Sequence, residues 1–434
     1  EMSFELTIMV GSLFFLAGIG MPIAYAIIVS SMAYMLATGT SIGLVGKTLT
    51  DGIYQSFLLL AVPLFIVAAN IMNAGTISDR LLNFCIATVG RFKGGLGHVN
   101  VMASLIFSGM SGSAVADAAG IGKIIIDMMR KDGRFPAGYA AAITAASATI
   151  GPIIPPSIPM VLYALISNAS IGALFLGGIL PGLLMGGVLM GMNFWISHRR
   201  GFVTEEPVPL RDMPRVTGRA FPALLMPAIL LYGIYGGVTT PTEAAAVAAA
   251  YALLLSAFFY RSLSLKALYT ILVDSARSSA AVGIVIGGAL ILNYIVASEN
   301  IPAALASYLV DVNVSPILFL LAVNLLVLAL GCLLDATTII LVIVPLFIPT
   351  CNLLGIDLVH FGVVIVVNCM IGLITPPYGI LLFVINAVTG IPLRDIIREV
   401  VPFLLVLIAA LLAMIFIPDI VLFLPRLLGY EGQG

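Results

Sequence analysis

Long apolar runs separated by short polar segments form the pattern of this sequence. Backbone amides in hydrocarbon must be hydrogen-bonded within their own segment, so runs of about 20 apolar residues predict membrane-spanning helices. A β-barrel would instead show alternating segments of about ten residues. We predict spans at residues 4–20, 22–38, 54–74, 98–128, 137–165, 171–197, 220–236, 241–260, 277–297, 316–350, 360–389 and 400–424.

Composition supports a membrane protein and argues against a soluble enzyme. Of the 434 residues, 61% are hydrophobic and 9% are charged, whereas soluble domains are about 25% charged. The net charge of −1 includes no basic tail that would indicate a nucleic-acid partner. The four cysteines lack the paired spacing of a metal site, and we interpret them as buried small hydrophobic residues.

Basic residues are concentrated in a few loops, namely 130–134, 199–219, 261–277 and 394–398. The positive-inside rule places such loops in the cytoplasm. The longest of them, 198–219, is expected to link two halves of the chain. The segment 42–56 is more amphipathic than its neighbours and predicts a helix along the membrane surface.

The two halves contain the same interrupted pattern. The motif I-G-x-I-x-P-P occurs at 150–156 and again at 371–377, an offset of 221. About forty residues upstream of each copy, a Gly-rich polar segment interrupts an apolar run, at 108–117 and at 331–338. Matched interruptions of this kind are typical of a transporter binding site. If each upstream interruption is a re-entrant hairpin, an odd number of crossings separates the copies and the repeats are inverted.

We therefore predict an all-α polytopic membrane protein with two inverted repeats, re-entrant hairpins and broken helices. The first repeat is 1–205, with scaffold helices and an arm at 1–77 and a hairpin and broken helix at 96–168. The second repeat is 206–434, with scaffold helices at 220–277, a hairpin and broken helix at 316–389, and a terminal helix at 400–424.

The Pro-Pro pairs explain how such a site could work. Pro155-Pro156 and Pro376-Pro377 remove amide donors, so helical hydrogen bonding stops there. Carbonyls freed in this way can coordinate a cation, while the N-termini of broken helices can bind an anion. Backbone of this kind is tolerated at membrane depth only where protein buries it or where it lines a cavity.

Two acids, Asp117 and Asp335, are predicted at membrane depth, where a carboxylate usually marks an ion or substrate path. Thr337, Thr338 and Thr375 add oxygen atoms of the kind that Na⁺ prefers. Intramembrane asparagines are expected to form hydrogen bonds between helices, namely Asn70, Asn293, Asn324 and Asn368. Glu243 follows a Thr-Thr-Pro-Thr segment and is expected to open a helix, with Thr239 or Thr240 as its cap. The sequence contains no transition-metal cluster or catalytic triad.

Four segments taken together, 109–117, 151–157, 331–335 and 372–379, resemble the large membrane subunit of tripartite ATP-independent periplasmic (TRAP) transporters. The resemblance covers essentially the whole chain. It implies Na⁺-driven import of an organic acid, such as a C4-dicarboxylate, sialic acid or another sugar acid, across a bacterial inner membrane. It also implies a periplasmic substrate-binding protein, a small four-helix membrane subunit and an elevator mechanism. The small subunit is expected to be a separate chain, because the first span starts close to Glu1.

The resemblance also implies roles for particular residues. One Na⁺ site would use Ser111, Ser113, Gly151, Ile154 and Pro156. The repeat-related Na⁺ site would use Gly331, Asp335, Gly372, Thr375 and Pro377. Ser113, Asp117 and Ser157 would contact the substrate. Na⁺ is the coupling ion, and no organic cofactor is implied.

Two other hypotheses stay open at this point. A stand-alone Na⁺/divalent-anion symporter would have a similar hairpin layout, but such proteins carry Ser-Asn-Thr at the hairpin tips. Here the tips read Ser111-Gly112-Ser113 and Asp335-Ala336-Thr337. The other hypothesis is a membrane enzyme, such as a Na⁺-pumping decarboxylase subunit or an intramembrane protease. A protease would need paired Asp residues, a Ser–His pair or a His/Glu metal set at membrane depth, and the sequence offers none.

Overall fold

The computed structural model describes residues 3–55, 57–74 and 76–432, and within these ranges the regular elements are helices, with no strand. The helices of the first half are α1 (Phe4–Gly18), α2 (Ile23–Ala37), α3 (Gly43–Gln55), α4 (Ala61–Asn73), α5 (Thr76–Val89), α6 (Gly95–Ser111), α7 (Ala114–Asp117), α8 (Lys123–Arg130), α9 (Ala137–Ala148), α10 (Ile158–Ser167) and α11 (Ile171–Arg200). Those of the second half are α12 (Met213–Tyr235), α13 (Pro241–Leu254), α14 (Leu265–Ser298), α15 (Ile301–Asp311), α16 (Pro316–Gly331), α17 (Ala336–Thr338), α18 (Ile348–Leu353), α19 (Leu358–Gly372), α20 (Ile380–Thr389), α21 (Leu393–Phe416) and α22 (Asp419–Leu427).

Several of these helices have the length and composition of membrane spans. Among the described residues, five helices are long and apolar enough to cross a bilayer: Ile171–Arg200, Met213–Tyr235, Pro241–Phe259, Leu265–Ser298 and Leu393–Phe416. The remaining apolar helices have 10–17 residues, and many of them flank the interruptions seen in the sequence. The predicted class, an all-α polytopic membrane protein, is confirmed.

Some helices differ in extent from the predicted spans. α5 was not predicted, because Asp79 and Arg80 interrupt its apolar pattern; the guanidinium of Arg80 instead lies 4.3 Å from the centre of the Tyr260 ring. α15 lies between the predicted spans 277–297 and 316–350, where no helix was predicted. Within the amphipathic segment 42–56, residues 43–55 form the helix α3, and residue 56 lies outside the described residues. The position of α3 along the membrane surface stays a prediction.

The predicted helices at 277–297 and 400–424 also need correction. α14 begins at Leu265, before the predicted start at residue 277. The prediction missed the first turns of this helix because they carry charged residues that lie outside the apolar run. The predicted terminal helix is two helices, α21 and α22, which are separated at Ile417-Pro418. Proline lacks the amide hydrogen that would continue the helix, so the chain turns there.

Thr240 caps α13, as predicted. The backbone N–H of Glu243 donates to Thr240 Oγ1 at 3.3 Å, and the Glu243 carboxylate accepts from the Thr240 backbone N–H at 2.7 Å. The two bonds form a reciprocal capping box and satisfy amides that the first turn leaves without partners.

The order of elements repeats between the halves at the offset of the sequence motifs. α16, α19, α20 and α21 begin 221 or 222 residues after α6, α9, α10 and α11. Each hairpin also contains a π turn, Ala118–Gly122 in the first half and Ile339–Ile343 in the second, at the same offset of 221. The inverted orientation of the repeats and their boundary at 205/206 stay predictions.

Helices from both halves pack into one unit, here called the transport body, which consists of α6–α11 and α16–α22. Tyr163 in α10 donates its hydroxyl to the Leu358 carbonyl at the start of α19, at 2.6 Å. Its ring lies against Gly362, where an ideal Cβ would be 2.2 Å from the ring. The absence of a side chain at Gly362 therefore lets the two halves approach closely.

A second group of helices flanks the transport body. α4 packs against α13 and α14, and α2 and α3 also pack against α14. These five helices are called the scaffold below. Their outward surfaces carry large exposed apolar side chains, as expected for helices that face lipid.

Replacing Gly178 in α11 by alanine is expected to destabilise the transport body. An ideal Cβ there would lie 2.2 Å from the Ile153 carbonyl oxygen and 2.8 Å from Met160 Cε. Because the carbonyl belongs to the backbone, the overlap should cost about 1–3 kcal/mol. Thermal unfolding of the purified protein in detergent measures the loss.

Gly187→Ala on the same helix is the matched control, since an added Cβ meets nothing within 4 Å. It should leave the unfolding temperature unchanged or raise it slightly, because alanine is the better helix former. Equal unfolding temperatures for both variants would contradict the close packing of α11 against Ile153.

Candidate functional site

The tip of the first hairpin is a helix end followed at once by a new helix. α6 ends at Ser111, and Gly112 adopts φ +56°, a left-handed conformation that disfavours side chains. Ser113 then caps α7, because its Oγ accepts a hydrogen bond from Ala116 N–H at 3.3 Å. The side chain of Ser111 lies outside the part of the chain that the structure describes.

The first break separates α9 from α10 and contains the cis peptide bond Pro155-Pro156. Pro155 stands four residues after Gly151 and has no amide hydrogen. The Gly151 carbonyl therefore lacks the donor that an α-helix would supply. An oxygen in this situation can serve as a ligand for a cation.

The first hairpin and the first break touch at two glycines. An ideal Cβ at Gly112 would lie 2.7 Å from the Pro156 carbonyl oxygen, and one at Gly151 would lie 2.6 Å from Asp117 Oδ2. Asp117 is only 2% exposed. Its carboxylate therefore packs directly on the break that the sequence predicted to bind Na⁺.

The tip of the second hairpin repeats the capping arrangement with a carboxylate. Asp335 Oδ2 accepts from Thr338 N–H at 3.1 Å, and Oδ1 accepts from the Thr338 hydroxyl at 2.6 Å. Asp335 thus holds the position in its half that Ser113 holds in the other, at the N-terminus of the helix after the tip.

The second break lies directly against the second hairpin. An ideal Cβ at Gly372 would be 2.8 Å from Gly331 Cα, so the two backbones are in contact. Pro376 stands four residues after Gly372 and cannot donate, and the Gly372 carbonyl accepts instead from Thr375 N–H at 3.1 Å. The Thr375 hydroxyl donates to the Ile371 carbonyl at 2.8 Å.

A cavity of about 330 Å³ lies between the hairpin tips and the scaffold, and is called the substrate cavity below. The hairpins contribute Gly112, Ser113, Ala114, Val115, Ala116, Asp335, Ala336 and Thr337. The rest of the transport body contributes Pro152, Ile158, Pro159, Met370, Leu373 and Ile380. The scaffold contributes Ile66, Ala69 and Asn70 from α4 and Ser278 and Val282 from α14.

Four helices begin at the wall of this cavity. Their first residues, Ala114, Ile158, Ala336 and Ile380, all line it. Helix N-termini carry partial positive charge and amides without helical partners, and so favour an anion. The lining residues include no Lys or Arg among the described residues, and Asp335 is their charged member.

The three predicted substrate residues differ in whether they line the cavity. Ser113 lines the cavity, whereas Asp117 and Ser157 are buried beside it. Ser157 caps α10 by accepting from Met160 N–H at 3.3 Å, and its hydroxyl donates to the Pro152 carbonyl. A direct substrate contact of Asp117 and Ser157 stays a prediction.

The predicted Na⁺ residues form two groups, one in each half. Each group combines a capping side chain at the hairpin tip with backbone oxygens of the adjacent break, and hard oxygen atoms suit a hard cation. The first group contains Ser113, Gly151, Ile154 and Pro156, with the backbone of Ser111, and the second contains Gly331, Asp335, Gly372, Thr375 and Pro377. Binding of Na⁺ at either group stays a prediction.

Residues of the scaffold wall were not predicted as part of the site. Asn70 was expected only to bond between helices, and its Nδ2 does donate to Ser275 Oγ at 2.8 Å. Asn293 and the pair Asn324 and Asn368 also form the expected helix–helix hydrogen bonds. Ser278 carries no signal in the sequence, because only folding brings α14 to the hairpins.

Comparisons with known proteins agree with this architecture. Residues 10–420 match the sequence model of the family described as "Tripartite ATP-independent periplasmic transporter, DctM component". The sialic acid TRAP transporter large permease protein SiaM of Vibrio cholerae is 42% identical over 98% of this chain and 100% of the relative. The C4-dicarboxylate TRAP transporter large permease protein DctM of Pseudomonas aeruginosa is 38% identical over 86% of this chain and 88% of the relative.

A solved structure shares the fold. The crystal structure of the YdaH transporter of Alcanivorax borkumensis superimposes with a TM-score of 0.60 over 86% of this chain and 88% of that chain, at 16% sequence identity. The relatives are transporter permeases and not enzymes, and their family works with a substrate-binding protein and usually a small permease. The chain belongs to the family of large permease subunits of tripartite ATP-independent periplasmic transporters.

Proposed function

We propose that this chain imports an organic acid across a bacterial inner membrane, driven by a Na⁺ gradient, after a periplasmic binding protein delivers the substrate. The observation that carries the proposal is the convergence of four helix N-termini on one cavity beside two oxygen-rich breaks. An organic carboxylate fits the helix N-termini, and Na⁺ fits the oxygen groups.

Asp335 supplies a reason for coupling the two solutes. Its carboxylate lies in the wall of a cavity that is otherwise built for an anion. At an effective dielectric constant of about 20, two like unit charges about 4 Å apart repel by about 4 kcal/mol. A Na⁺ ion bound at Asp335 neutralises this charge, so each solute raises the affinity for the other.

Two observations support a proposal for the substrate class: the chemistry of the residues that line the cavity and the similarity to named relatives. A carboxylate must be held by amides, hydroxyls and the bound ion, because the described lining contains no basic side chain. The relatives reported above are named for sialic acid and for C4-dicarboxylates. A sugar acid or a dicarboxylate is accordingly the substrate that we propose.

We propose an elevator motion, and the division into two packing units supports it. The cavity has one wall on the transport body and the other on α4 and α14 of the scaffold. The hairpins and breaks are in backbone contact within the transport body, so we propose that they move together and slide past the scaffold. Independently of this motion, the positive-inside rule places the loops rich in Lys and Arg on the cytoplasmic side of the membrane.

A small membrane subunit is proposed as a second partner. The exposed apolar surfaces of the scaffold suit such a partner or lipid. Two partners, the small subunit and the periplasmic binding protein, complete the tripartite assembly.

Asp335→Asn and Thr375→Val should each raise the Na⁺ concentration needed for half-maximal uptake by about tenfold or more. Even outer-shell partners of metal ligands contribute 10–100-fold to affinity. Asparagine still caps the helix at 335, so the amount of folded protein should not change. Initial rates of uptake into proteoliposomes at varied Na⁺ measure the effect.

The matched control is Asp357→Asn. Asp357 also caps a helix, since its Oδ1 accepts from Val359 N–H and His360 N–H at 2.8 and 3.1 Å, but it does not line the cavity. The control should keep the original Na⁺ requirement. An unchanged Na⁺ requirement in both site variants would remove these residues from the Na⁺ site.

Tripartite operation is tested by reconstitution. Proteoliposomes that contain this chain and its small partner should accumulate radiolabelled N-acetylneuraminate only when an inward Na⁺ gradient and the binding protein are both present. Omission of either should abolish uptake. Accumulation with Na⁺ alone would identify a stand-alone symporter and would contradict the need for a binding protein.

A further inference from the structure

The two walls of the substrate cavity differ in chemistry. The transport body presents four helix N-termini and the Asp335 carboxylate, whereas the scaffold presents neutral side chains, namely Ile66, Ala69, Asn70, Ser278 and Val282. Once Na⁺ neutralises Asp335, as proposed above, a ligand that spans the cavity meets the partial positive charge of the helix N-termini at one end and uncharged groups at the other.

Two of the neutral side chains, Asn70 and Ser278, lie next to Ser275 of α14, and Asn70 is hydrogen-bonded to it. Asn70 Nδ2 in α4 donates to Ser275 Oγ in α14 at 2.8 Å, and the Ser275 hydroxyl donates to the Ile271 carbonyl at 2.7 Å. Ser275 and Ser278 are three residues apart and so share a face of α14. Asn70, Ser275 and Ser278 are called the polar patch below. Ser275 is buried and fixes Asn70, while Ser278 is exposed.

The polar patch suits hydroxyl and amide groups. With one N–H of the Asn70 amide held by Ser275, the second N–H and Oδ1 can bond a ligand, and the Ser278 hydroxyl can both donate and accept. A carboxylate at the patch would lose hydration without meeting a cation among the described lining residues. Burying an unpaired charge costs far more than burying a hydrogen-bonded hydroxyl.

We propose that the polar patch sets the substrate class, favouring monocarboxylates with hydroxyl or amide groups at the far end over dicarboxylates. This inference rests on the proposed function, because it places the substrate carboxylate at the helix N-termini. Asn70 and Ser278 are then specificity-determining residues on the scaffold, and sugar acids are preferred to C4-dicarboxylates. The selection is made by the membrane protein itself, independently of the binding protein.

Equilibrium binding to the purified membrane complex in Na⁺, without binding protein, tests this assignment. The probes are radiolabelled N-acetylneuraminate and radiolabelled succinate. N-acetylneuraminate should bind more tightly than succinate. Ser278→Ala should weaken binding of N-acetylneuraminate about three- to tenfold, the contribution of one hydrogen bond, and should leave succinate binding unchanged.

Ser279→Ala is the matched control. Ser279 follows Ser278 directly and donates its hydroxyl to the Ser275 carbonyl at 2.7 Å, but it does not line the substrate cavity. This variant should bind both probes as the original protein does.

A charge-gain variant gives an independent test. Ser278→Lys places a cation at the patch, and the exposed position can accept the longer side chain without repacking the core. This variant should bind succinate more tightly and N-acetylneuraminate less tightly than the original protein. Equal affinities of the original protein for succinate and N-acetylneuraminate would overturn the assignment. So would an equal loss of affinity for both probes in Ser278→Ala. Failure of the proposed function would look different, because binding of both probes would then be independent of Na⁺.

Discussion

The backbone of an interrupted helix needs new hydrogen-bond partners when no water is available, and this constraint governs the structure. Pro155 and Pro376 stop the hydrogen bonding of two membrane-depth helices. Each break is then covered by a hairpin tip that approaches through glycine, at Gly112 and Gly331. The hairpins, the breaks and the cavity between them are consequences of satisfying that backbone inside protein.

The parts of the fold that depend on local chemistry could be predicted from the sequence. Apolar runs and the repeated Pro-Pro motif gave the helical class, both hairpins and both breaks, because each signal lies within a short segment. The capping of α13 by Thr240 was predictable for the same reason. α5 and α15 were missed, because their polar residues are stabilised by contacts with other helices, such as that of Arg80 with the Tyr260 ring.

In the candidate site, too, residues with a local sequence signal could be predicted, and residues placed by packing between helices could not. Ser113 and Asp335 could be identified because each stands in a polar interruption of an apolar run, and the structure places both at the cavity. Ser278 could not be identified, because a serine in a membrane helix is common and only tertiary packing turns it toward the hairpins. The orientation of a ligand in the cavity depends on how the transport body packs against the scaffold. No local sequence pattern contains that information.

The paired π turns also affect how the side chains beyond each hairpin tip are oriented. A π turn holds one residue more than the helix around it needs, and one residue rotates all that follows by about 100°. Ala118–Gly122 and Ile339–Ile343 hold this extra residue at an offset of 221, the offset that also relates α6 to α16 and α9 to α19. The extra residue therefore turns the helical segment that follows each hairpin tip by the same amount in both halves. The side chains beyond the two tips keep matching orientations as a result.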